Sequence, residues 1–131
     1  MLAPSQSDNP DPKKYLSETG EYTTPPGASI GTDALTITSG VVATLKFSES
    51  VQVNTLDLSE DAEVASMGDP PVGYYQITIR NLGGFNLTFP SEIEWMDQFA
   101  YIATADGKDM ICFFYDGTSW LAWFMKDFGE A

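Results

Sequence analysis

Tyr74–Asn81 reads YYQITIRN, and its side chains fall into two sets. Tyr75, Ile77 and Ile79 alternate with Gln76, Thr78 and Arg80, the period of two that marks a strand with one buried face. The next residues, Leu82-Gly83-Gly84, form a turn signal leading into Phe85–Phe89 (FNLTF), so a hairpin is expected here. Pro90 lacks a backbone donor and ends that second strand.

Working towards the C-terminus, Ile93–Trp95 and Phe99–Ala103 are short strand candidates. Asp106-Gly107 is a turn, Asp109–Tyr115 (DMICFFY) a strand, Asp116-Gly117-Thr118 a turn, and Ser119–Met125 (SWLAWFM) the closing strand. Towards the N-terminus, Val51–Leu58 (VQVNTLDL), Val41–Phe47 (VVATLKF) and Ala34–Thr38 (ALTIT) carry β-branched and alternating residues. Ser59–Gly73 is acidic and broken by Gly68, Pro70 and Pro71, which predicts a long loop with one helical turn over Glu60–Met67. No stretch keeps the i, i+3, i+4 apolar spacing of a helix, so the class is all-β. Short strands separated by frequent turns predict an antiparallel β-sandwich, jelly-roll-like, or a barrel, over residues 34–131.

Residues 1–33 differ in composition, holding five of the eight prolines (Pro4, Pro10, Pro12, Pro25 and Pro26). Proline fixes φ and removes a donor, so this stretch reads as an extended N-terminal arm.

The last two strands are apolar on both faces. Met110, Cys112 and Phe114 alternate with Ile111, Phe113 and Tyr115, and Trp120, Ala122 and Phe124 with Leu121, Trp123 and Met125. A half-solvated strand would carry polar residues on one face. Either both faces are covered within a sandwich, or one forms an oligomer seam. The seam is the favoured reading, with Phe114, Trp120, Trp123 and Phe124 as its candidate residues.

Charge and composition narrow the function. Lys plus Arg number 6 against 19 Asp plus Glu, a net charge of −13. Phosphate neutralisation needs a basic face, so nucleic-acid binding is disfavoured, as is an anionic membrane surface. The chain has no histidine, which removes the commonest general base and zinc ligand. Cys112, the one cysteine, sits in an apolar run and reads as a small buried hydrophobe. No secretory leader and no membrane-length apolar run is read in the sequence, and synthesis in the cytoplasm is expected.

Other chemistry is thin. Glu92 and Glu94 flank Ile93 and would share one face of a strand, the minimum for a glycosidase pair, but a solvated rim explains them. Asp106, Asp109 and Asp116 surround two Gly turns and offer oxygens to calcium, yet Asp-Gly is ordinary turn chemistry. Tyr74, Trp95, Tyr101 and Trp123 are candidates for stacking on a sugar. No catalytic, cofactor or metal constellation emerges, and no enzyme activity is expected.

The segment from Tyr74 to Phe128 resembles a module of tailed-bacteriophage structural proteins, especially tail-fibre and head-decoration proteins. The resemblance runs through YYQITIRN, GGFNLTFP, EIEW, DMICFFYDG and TSWLAWF in that order, a little under half the chain. The sequence departs from that pattern after Trp95, where Met96-Asp97-Gln98-Phe99-Ala100 replaces a Pro- and Gly-rich stretch. The resemblance implies a trimeric β-rich virion module without catalysis, assembled in the host cytoplasm. A small chain with an extended arm looks like a capsid decoration or cement protein. Pro10, Lys13, Lys14, Tyr15 and Tyr22 of the arm are then candidate contacts to the major capsid protein. The alternative is a tail-fibre or receptor-binding module that recognises a host surface glycan.

Overall fold

Side-chain alternation along Val53–Leu58 (β5) and Gly73–Asn81 (β7) sets the frame of the fold. Asn54, Leu56 and Leu58 on β5, and Tyr75, Ile77, Ile79 and Asn81 on β7, are all buried. The two strands run parallel in a register that sets Asn54 beside Ile77, Leu56 beside Ile79 and Leu58 beside Asn81. Inward residues therefore stack on inward residues, which this register specifies strongly because a one-residue slip would expose the whole set.

The computed structural model describes residues 30–131, together with the backbone of Tyr15–Leu16 (β1) and Tyr22–Thr23 (β2). Those two short strands pair antiparallel, Tyr15 with Thr23 and Leu16 with Tyr22. The stretch between Pro12 and Pro25 of the expected arm is free of proline and keeps the donors a ladder needs. Met1–Ile30 forms one unit and Gly31–Ala131 another, and Thr32–Ala34 is a strand (β3) of the second unit.

Within residues 31–131 the remaining strands are Val41–Val42 (β4), Ala62–Val64 (β6), Leu87–Thr88 (β8), Ile93–Trp95 (β9), Lys108–Tyr115 (β10) and Trp120–Met125 (β11). They form a six-stranded sheet, ordered β3-β5-β7-β10-β11-β9, and a three-stranded sheet, ordered β4-β6-β8. The pairs β3–β5, β5–β7, β4–β6 and β6–β8 are parallel. Thr32 pairs with Val53 and Val53 with Gln76, steps of 21 and 23 residues. Each coil of chain thus gives one strand to each sheet before stacking on the next, which is a β-solenoid. The all-β class stands, and the expected antiparallel sandwich or barrel is corrected to this coil. Alternation of side chains has the same period in parallel and antiparallel strands, so it could not separate the two.

Three local expectations change with it. The turn after β7 does not make a hairpin: β8 pairs with β6 in the other sheet. The helical turn expected over Glu60–Met67 is instead β6, with Ala62 and Val64 inward. The strand expected over Val41–Phe47 keeps ladder pairing only at β4, although Leu45 and Phe47 remain buried.

Corners are held by turn chemistry. Ser39 and Gly40 both have positive φ (52° and 75°) within the Thr38–Val41 bridge, the backbone of a tight two-residue hairpin turn. Asn81 closes the β7–β8 corner: its Nδ2 donates to Phe85 O (2.9 Å), and its Oδ1 accepts from the N–H groups of Gly83 and Phe85. The coils enclose Leu56, Leu58, Met67, Ile77, Ile79 and Ile111, and the Phe113 ring packs among Phe47, Phe89 and Trp120. β10 and β11, paired antiparallel, complete the large sheet beside β7.

Candidate functional site

On β10 and β11 the inward parity is Asp109, Ile111 and Phe113, then Trp120 and Ala122, all buried. The four residues expected at a seam therefore separate. Trp120 is only 2% exposed and stacks on Tyr115 at 4.5 Å. Phe124 is half-buried against Trp95 and Tyr101 at 5.9 and 5.6 Å. Both belong to the interior of their own chain, because strand parity puts them there. Phe114 and Trp123 face outward.

The ladder registers lay out that outer face in rows. Tyr74, Phe114 and Leu121 form one row, Gln76, Cys112 and Trp123 the next, and Thr78, Met110 and Met125 the third. Tyr74 is 69% exposed and its ring lies 4.7 Å from that of Phe114; Leu121 and Met125 are exposed as well. None of these nine residues is charged. The following row is Asp57, Arg80 and Lys108, with Arg80 Nε 3.2 Å from Asp57 Oδ1. An uncharged, largely apolar field with a charged border is the composition of a contact surface. Cys112 lies within it, half-buried, and burial pushes its thiol above the usual range.

Behind that face lies a buried carboxylate. Asp109 is 1% exposed. Its Oδ2 accepts from the Tyr101 hydroxyl (2.6 Å) and Thr104 N–H (2.8 Å), and its Oδ1 from Asp127 N–H (2.8 Å). Burial opposes the charge, but these donors outweigh it and hold the carboxyl below the usual carboxylate range. Burial, followed by the hydrogen bond to Asp109 and its charge, pushes the Tyr101 hydroxyl well above an ordinary phenol. The bond to Asp127 secures the chain's return along β10, where Phe128 N–H donates to Lys108 O and Lys108 N–H to Gly129 O. Phe128, with Thr78, Lys108, Asp109 and Met110, lines a surface cavity of about 210 Å³.

Asn54, Asn81 and Asp109 were not read as structural braces, although each was legible as a polar residue at an inward position of an alternating strand. Asn54 Oδ1 accepts from Lys46 N–H (2.8 Å), and its Nδ2 donates back to Lys46 O (3.2 Å). Buried polar groups satisfied in this way tie one segment of a coil to another.

The remaining candidates are dispersed. Asp116 Oδ1 accepts from the N–H groups of Thr118 and Ser119, ordinary turn chemistry, and Asp106 sits exposed at a positive φ of 52°. Of the candidate calcium oxygens, both of Asp109 and Oδ1 of Asp116 are thus engaged by donors of the fold. Glu92 and Glu94 are exposed. Of the aromatics considered for sugar stacking, Tyr101 is buried and Trp95 packs edge-on against Phe89, while Tyr74 and Trp123 sit on the outer face. Pro10, Lys13 and Lys14 lie outside the described residues, as do the side chains of Tyr15 and Tyr22.

The loop following β9 falls where the sequence departs from the resembled pattern, at Met96–Ala100. Phe99–Ala103 forms no strand; Asp97 and Gln98 take positive φ (57° and 62°). This turn leaves Met96, Phe99 and Ile102 exposed at 62%, 70% and 68%. Comparison with protein-family models, characterised proteins and solved structures finds no match to this chain.

Proposed function

We propose that this chain is a non-catalytic structural module of a bacteriophage particle that assembles with copies of itself, in keeping with the homotrimer implied by the sequence resemblance. The observation carrying this reading is the outer face of β7, β10 and β11. Phe114, Trp123, Leu121, Met110 and Met125 are spent on no interior contact of the solenoid, and burying them against a neighbour removes apolar area from water at roughly 25 cal/mol per Å². The buried polar residues are consumed in bracing the backbone, a structural use.

On the particle, the decoration or cement reading takes the arm of residues 1–33 as the contact to the major capsid protein, with the β domain displayed on the head. The tail-fibre reading draws support from the coil itself, since stacked coils extend along one axis as an appendage does. In that reading exposed Tyr74 is the candidate for a glycan.

Light scattering on the full chain tests the assembly. A mass of three times 14.3 kDa that falls to one chain on Trp123→Glu is expected; a monomer at every concentration refutes it. Gold label on intact particles then separates the head from the tail.

A further inference from the structure

A threefold ring is held by heterologous contacts: one patch on each copy meets a different patch on the next, so every copy carries both halves. One half is the cavity lined by Thr78, Lys108, Met110 and Phe128, with the buried Asp109 behind them, at the end of the apolar field. The other is the loop at the β9 edge of the sheet, where Met96, Phe99 and Ile102 are exposed. β11 lies between β10 and β9, so loop and cavity sit apart on one chain, and the Phe99 ring projects instead of filling its own cavity.

We infer that the Met96–Ile102 loop of one copy docks on the outer sheet face of the next, with Phe99 entering the cavity beside Phe128. The inference rests on the assembly reading above and names its second surface. Charge supports a second copy as the occupant. Copies carrying a net charge of −13 repel unless the contact is uncharged or locally opposite. The nine residues of the apolar rows are uncharged. The cavity wall carries Lys108, which makes no ion pair among the described residues, and the loop carries Asp97 next to its turn. Hydrophobic insertion with one flanking opposite pair gives such a ring both affinity and register.

The test uses the full chain and reads assembly by sedimentation. Phe99→Ala is expected to weaken the trimer by on the order of 30-fold or more, the size of a hot-spot truncation. Asp97→Lys and Lys108→Asp should each weaken it, and the two together should restore it. In a Cys112→Ser background, Phe99→Cys combined with Phe128→Cys should oxidise to a covalent trimer, the two thiols losing two electrons and two protons to an added mild oxidant such as oxidised glutathione. A trimer that survives Phe99→Ala and forms no such cross-link overturns the loop docking and leaves the seam in place. So does a trimer that is unaffected while particle attachment is lost, which would give the loop to a different protein. A wild-type chain that is monomeric throughout overturns the assembly reading and this inference with it.

Discussion

Asp109→Asn isolates the brace behind the outer face. The substitution keeps the shape of the side chain but leaves one acceptor oxygen where there were two. Its amide N–H group must then face either Asp127 N–H, or the Tyr101 hydroxyl together with Thr104 N–H, all within 2.8 Å of the present oxygens. Hydrogen bonds to a charged group are worth about 1.5–3 kcal/mol each, and an unsatisfied buried donor costs about 1–3 kcal/mol. With partial relaxation the loss at neutral pH is about 3 kcal/mol, a large part of the 5–15 kcal/mol typical of a domain. In urea, with a slope of roughly 1–3 kcal/mol/M, the midpoint should fall by about 1–3 M at unchanged slope. Because the folded carboxyl titrates below its usual range, its stabilisation is complete above the unfolded value near ~3.9 and is lost as pH falls through the folded value. The gap between wild type and variant should therefore be widest near neutrality and shrink below about pH 4. Other carboxylates titrate in both proteins and cancel in the difference. A gap below about 0.5 kcal/mol at pH 7, or one that stays constant into strong acid, refutes the brace.

Three further outcomes follow from the same geometry. Tyr101→Phe removes one of Asp109's donors and should cost about 1–2 kcal/mol at neutral pH. Since the folded Tyr101 pKa is raised, its contribution is complete below the unfolded value near ~10 and declines as pH rises towards the folded value, an alkaline loss of stability that the Phe variant should lack. Trp120→Ala should cost about 3–5 kcal/mol, and Trp123→Ala less than about half of that, in urea titrations of dilute protein; equal losses would mean that the outer face is part of the chain's own core. Gly31→Ala would bring a Cβ within 1.7 Å of Ser50 O, so β3 must shift away from β5. A loss of about 1–3 kcal/mol is expected, with faster hydrogen exchange at Leu35 N–H, which donates to Thr55 O.

Strand positions were legible where alternation was clean. The expected strands at Val51–Leu58, Tyr74–Asn81, Asp109–Tyr115 and Ser119–Met125 agree with β5, β7, β10 and β11 to within one or two residues. Pairing was not legible. β4 and β8 are two residues long, too short for any periodicity, and their place in the second sheet comes from the coils beneath them. The coil steps differ and carry no repeated motif, so the solenoid left no period in the sequence. The outer face was half legible: its apolarity could be read, but Phe114 and Trp123 could not be separated from Trp120 and Phe124 without knowing which parity faced the core.

The distribution of apolar residues over the large sheet bears on why that outer face exists. On β5 the outward positions include Thr55 and Asp57, and the coil folds with those side chains in water. β7 carries Gln76, Thr78 and Arg80 on the same side. The fold therefore places no requirement for apolar residues on its outer surface, and within one chain aromatics there gain only cross-strand contacts such as that of Tyr74 with Phe114. Yet β10 and β11 present Met110, Cys112, Phe114, Leu121, Trp123 and Met125 outward, in adjacent rows. Polar residues at those positions would leave the core of Ile77, Ile111, Phe113 and Trp120 unchanged. In the proposed assembly the two parts of the fold divide the work: the coils supply stability, and the last antiparallel pair supplies the contact surface.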